Sequence, residues 1–72
     1  MQQHLNRLIR PNELTLYVGL KRTQIGELIK TGEFPRPIPL SDGGRAVAWL
    51  EAEIIAWQSV RLAKRETALA QG

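Results

Sequence analysis

A mostly helical chain carrying one small β-hairpin is the fold class that these 72 residues predict. Three observations lead there. Apolar residues recur at three-and-four spacing in two short clusters, Leu14, Tyr17 and Val18, then Ile25, Leu28 and Ile29, with Gly19 between them. Asp42-Gly43-Gly44 places strong turn signals between two short apolar runs. From Leu50 the helical period returns. Helix, turn, helix, hairpin, helix is the order of a compact winged helix-turn-helix domain.

Length and charge bound the rest. A chain this short has room for one domain and must bury every large apolar side chain it can, so Tyr17, Phe34, Trp49 and Trp57 are expected in the core. Ten Lys and Arg against seven Asp and Glu leave a net charge of +3, which favours an anionic partner without demanding one. The absence of cysteine rules out disulfides and thiolate metal sites. With no apolar run near membrane-span length and no signal-like apolar core at the start, a cytoplasmic protein is expected.

The first seven residues show no sustained period and hold the only histidine, His4, read as solvated. Leu8 and Ile9 form a short apolar step. Pro11 suits a first helical position, and Asn12 and Glu13 add polar and acidic character to the first turn, so a helix is expected from about 11 to 18. Gly19 fits the residue after a helix end, where a left-handed backbone suits glycine.

The second helix should begin between Lys21 and Thr23. Lys21 is a poor cap, leaving Thr23 to supply an oxygen or the first amides to stay free, and free amides suit a phosphate. With Ile25, Leu28 and Ile29 turned inward, Thr23, Glu27 and Lys30 point outward and Arg22, Gln24 and Gly26 lie on the flanks. Gly26 is either a local weakness or a close approach of backbone to a ligand. Thr31-Gly32-Glu33 closes the helix, and prolines at 35, 37 and 39 hold the following chain extended. Ile38 to Leu40 and Ala46 to Trp49 then form the hairpin, its first strand confined to an edge.

The third helix is expected from about 50 to 64, with residues 66–72 extending it or fraying. Leu50, Ile54 and Trp57 form its core stripe. Ile55, Leu62 and Leu69 form a second stripe at heptad spacing, Glu51 and Glu53 occupy the first turn, and Arg61, Lys64 and Arg65 lie towards the other end. One domain over residues 8–65 with flexible or helix-extending termini, 1–7 and 66–72, is the expected organisation.

The stretches LIRPNEL, VGLKRTQIGELIKTGEFPRPIPL and GRAVAWLEAEIIAW, followed by basic residues, resemble the AlpA-like family of phage and prophage regulators. The resemblance covers roughly residues 8 to 65, and GEFPRP and GRAVAWLEAEIIAW are its most specific parts. It implies a winged domain of the excisionase and MerR type, and a small DNA-binding protein acting as a transcriptional regulator or assisting prophage excision. Two positions depart from the family pattern: Lys21 stands where a capping Ser is usual, and Gly26 where a bulky residue, often Tyr, is common.

Bottom-up, the function needs phosphate neutralisation and a helix that enters the major groove. Lys21, Arg22, Thr23 and Gln24 line the first turn of the second helix, with Arg22 and Gln24 expected at base edges. Lys30 is expected at a phosphate, and Arg36 and Arg45 would let the wing hold the adjoining backbone or minor groove. The competing reading of the basic residues among them is ordinary solvated surface charge. An enzyme is not expected, because His4 has no evident orienting partner and the carboxylates lack metal-ligand spacing; no cofactor or metal is expected. Double-stranded DNA is the expected partner, with self-association or cooperative assembly through the second stripe of the last helix. The rival functions are an excisionase-like architectural factor and a small protein-interaction module using that helix.

Overall fold

The computed structural model describes residues 5–71, and the side chains of residues 5–68. His4 therefore lies outside the described residues, as does the side chain of Leu69. Strand β1 (Leu8–Ile9) leads through Arg10 into helix α1 (Pro11–Val18). Helix α2 (Arg22–Lys30) follows after a three-residue turn. Strands β2 (Ile38–Pro39) and β3 (Val47–Leu50) make the hairpin, and helix α3 (Glu51–Gln71) ends the described chain.

The helix ends follow local chemistry. Gly19 adopts φ 71° and donates its N–H to the Thr15 carbonyl, stopping α1 in a left-handed turn. At the end of α2, Gly32 (φ 79°) donates to Ile29 and Glu33 donates to Leu28, the paired bonds of a Schellman turn. That turn drops Phe34 into the core, where it is 4% exposed. The chain then runs extended through Pro35, whose carbonyl accepts the Trp49 indole N–H at 2.9 Å.

The sheet differs from the expected two-stranded hairpin by one strand. Its order is β1-β3-β2, all antiparallel, with Leu8 opposite Leu50, Ile9 opposite Trp49 and Ile38 opposite Ala48. β2, with Pro39, is at an edge as expected. β1 takes the other edge, so β3 is central and Leu50 belongs to this strand, not to the helix. Arg10 reinforces the arrangement by donating to the Val47 carbonyl at 2.7 Å, and the Glu51 amide at the start of α3 donates to Arg7.

Ile9, Leu14, Ile25, Phe34, Trp49 and Ile54 form the buried core, one each from β1, α1, α2, the segment after α2, β3 and α3, with Val18, Leu20, Leu28, Ile29, Val47 and Trp57 packed around it. Phe34 meets both tryptophans edge to face, at 5.0 Å from Trp57 and 6.4 Å from Trp49. Tyr17 corrects the expectation that all four aromatics are core: it is 58% exposed. α1 has only two turns, and the inner side of those turns is filled by Leu14 and Val18, which leaves Tyr17 at the rim beside Gln58. Among the described residues no helix is long and apolar enough to cross a membrane.

Candidate nucleic-acid interface

All seven residues expected at the partner surface, Lys21, Arg22, Thr23, Gln24, Lys30, Arg36 and Arg45, are exposed. They sit on three pieces of structure: the first turn of α2, its last residue, and the two ends of the hairpin region. What fixes α2 is its inner side, where Ile25 is buried and Leu28 and Ile29 are half-buried; Thr23, Glu27 and Lys30 point out, as their spacing requires.

The start of α2 is capped in an unexpected way. Lys21 occupies the cap position with extended backbone, and a lysine side chain has no acceptor to offer the helix amides. Gln24, not Thr23, contributes an oxygen: its Oε1 accepts the Lys21 N–H at 2.9 Å, half of a reciprocal capping box. No side chain caps the amides of the first turn. The Gln24 carbonyl is thus committed to the helix, leaving its amide N–H groups for any outward contact.

Arg22 is held rather than free. Its Nη2 donates to Asn12 Oδ1 at 3.1 Å, bridging the start of α2 to the start of α1. Beneath it lies a shallow depression whose wall includes Pro11, Ile25, Gly26, Ile29 and Pro37. A Cβ added to Gly26 would meet no heavy atom within 4 Å, so the fold itself does not require glycine there. Sequence reasoning passed over Asn12 as a partner, since it lies ten residues away on another helix and only the helix-turn-helix angle brings it to Arg22.

The other cations are placed by the hairpin and helix ends. Arg36 stands exposed one residue after the anchored Pro35 carbonyl. Arg45 follows the Ser41–Gly44 turn, which is closed by a Gly44 N–H to Ser41 bond with Gly44 at φ 73°, while Leu40 donates to Ala46 across the loop base at 2.7 Å. Lys30 ends α2, where a cation also complements the helix dipole. Arg22 and Asn12 are thus brought into direct contact; Lys30, Arg36 and Arg45 remain separate exposed charges. Among the described residues no group of three or more His, Asp or Glu is arranged to hold a metal ion.

Against known proteins, the family model described as prophage CP4-57 regulatory protein (AlpA) matches residues 7–62. The chain is also similar to an uncharacterized protein, ORF88, of Enterobacteria phage P4, at 45% identity over 60 residues. That match takes in 83% of this chain and 66% of the phage protein, so the chain spans a little under two thirds of that relative's length. No solved structure matches the chain.

Proposed function

The chain belongs to the prophage CP4-57 regulatory protein (AlpA) family, and from that premise we propose that it is a sequence-specific, double-stranded-DNA-binding transcriptional regulator of phage or prophage type. Residues 8–65 act as the DNA-binding domain. α2 enters the major groove, with Arg22 and the free amide of Gln24 at base edges and Lys21 and Thr23 near phosphates. Arg45 and Arg36 hold the flanking backbone or minor groove from the wing, and Lys30 meets a phosphate at the far end of α2.

The observation that carries this reading is the first turn of α2. It presents exposed Lys21, Arg22, Thr23 and Gln24 with no side chain capping its amides, on a helix whose inner side is locked by Ile25. Uncapped amides and a positive dipole end favour an anionic group, and a phosphate is the anion such a turn accepts with least rearrangement. The Arg22 to Asn12 bond supports the same reading, because a guanidinium already oriented loses less freedom on contact with a base.

The test is titration of the whole protein against duplexes from the neighbourhood of its own gene, with footprinting at several salt concentrations. A protected site whose affinity falls linearly in log salt is expected. Salt-independent binding, or protection spread evenly along every duplex, would refute a groove-reading regulator.

A further inference from the structure

Two carboxamides at the candidate interface, one on each helix, have their oxygens tied to the protein itself. Asn12 Oδ1, at the start of α1, accepts the Arg22 guanidinium at 3.1 Å. Gln24 Oε1, in the first turn of α2, accepts the Lys21 N–H at 2.9 Å. Both side chains are exposed, so what each has left for a partner is its NH2. Arg22, bonded to the first of them, is a donor by nature, since a guanidinium has no acceptor. Asn12, Arg22 and Gln24 thus present donors only, although free Asn and Gln offer a donor and an acceptor side by side. The Thr23 hydroxyl serves either way, and the Glu27 carboxylate, an acceptor, points out one turn further along α2.

Base edges divide on the same property. In the major groove guanine shows the acceptors O6 and N7, and thymine shows O4, whereas adenine and cytosine each put forward an amino group. A free Asn or Gln reads adenine by setting its oxygen against N6 and its NH2 against N7 in one plane. With the oxygen turned onto Arg22 or onto the Lys21 amide, neither residue presents that fork without breaking the bond that holds it. An amino group brought up to any of the three meets a donor with no acceptor facing it, and a donor left unpaired in a closed interface is costly.

We propose that this corner reads keto bases: Arg22 donates to O6 and N7 of a guanine, Gln24 donates to the keto oxygen of a neighbouring guanine or thymine, and adenine or cytosine at either place is rejected. Asn12 is a positioning residue, fixing the guanidinium from α1 so that its remaining N–H groups meet the base already ordered. The inference rests on the proposed DNA-binding reading and adds to it which bases the start of α2 accepts.

For the test, the footprinted duplex is remade with one guanine at a time replaced, and each duplex competes against the parent for the whole protein. Hypoxanthine keeps O6 and N7 and should bind within about twofold of guanine. At the Arg22 contact, 7-deazaguanine, which lacks N7, and adenine, which carries an amino group in place of O6, should each weaken binding about tenfold or more. Asn12→Leu, which releases the guanidinium, should cut the guanine to 7-deazaguanine ratio to about threefold or less while the thermal melt stays with the parent; an unchanged ratio takes the positioning role from Asn12. Gln24→Glu keeps an oxygen for the Lys21 N–H but has no donor, so it should invert the preference at its base, from thymine or guanine to cytosine or adenine. A site where every guanine tolerates 7-deazaguanine, or a Gln24→Glu protein with the parent's ranking of bases, overturns the keto reading and leaves a DNA-binding regulator standing. An absent footprint refutes the regulator reading itself, and this inference with it.

Discussion

At the residue scale, Arg22 and Gly26 make opposite predictions on the same helix. Arg22 is exposed and bonded only to Asn12, so Arg22→Ala should leave the thermal melt close to the parent. On the proposed DNA face it should nevertheless change relative affinity among sequences by about 1 to 3 kcal/mol, measured by competition between a footprinted site and its single-base variants. An Arg22→Ala protein with the parent's sequence ranking would remove this residue from base reading. Gly26 has open space where a Cβ would go, and glycine costs a helix interior about 1 kcal/mol relative to alanine. Gly26→Ala should therefore raise the melting temperature, by about 4 to 8 °C for a domain of this size. If affinity for the footprinted site falls while stability rises, the missing side chain serves the partner and not the fold.

At the element scale, the aromatic corner and the wing separate stability from binding. Trp49 is 6% exposed, bonded to the Pro35 carbonyl and stacked edge to face with Phe34, so Trp49→Ala should cost about 3 to 5 kcal/mol and leave little folded protein at ordinary temperature. Trp57 shares Phe34 but is only half-buried, with its indole donating to Glu33; Trp57→Ala should cost less, and a melt showing the reverse order would misplace the core. Arg45→Ala, on the wing, should instead weaken all DNA sequences alike and make the log-log salt slope shallower by about 1. Helices α1 and α2 and the glycine stops were legible in the sequence because each rests on local signals: Pro11, Gly19, Gly32 and the spacing of Ile25, Leu28 and Ile29. β1 was not. Two residues, Leu8 and Ile9, carry no period of their own and become a strand only against Trp49 and Leu50, about forty residues away. Tyr17 failed for a related reason: composition says that a small domain needs its aromatics, but only the packing of α1 on Leu14 and Val18 says which one is left out. The cations were legible as exposed charges, whereas the Asn12 bond to Arg22 and the committed carbonyl of Gln24 depend on tertiary geometry.

At the scale of the whole molecule, a single copy is a poor regulator. One recognition helix reads a few base pairs, and a net charge of +3 offers few phosphate contacts, so a lone copy on the proposed reading binds weakly and discriminates poorly. Doubling both terms takes a second copy on the same DNA. Two copies that touch on neighbouring half-sites, through their wings or through exposed Ile55 and Leu62, would make binding of the second intramolecular once the first is seated. On the proposed reading the expected target is a pair of repeated or inverted half-sites about one helical turn apart. Titrating duplexes with one or two half-sites should show the pair bound more tightly than twice the single-site affinity predicts. Leu62→Glu places a charge on the exposed side of α3, at a side chain 53% exposed in the single copy and therefore harmless to its fold. If α3 is the seam, it should abolish that excess while leaving single-half-site affinity within the small loss expected from one added negative charge on the one bound copy. A single half-site bound as tightly as the pair would end the argument for assembly; cooperativity that survives Leu62→Glu would keep assembly and move its seam away from α3, to the wings.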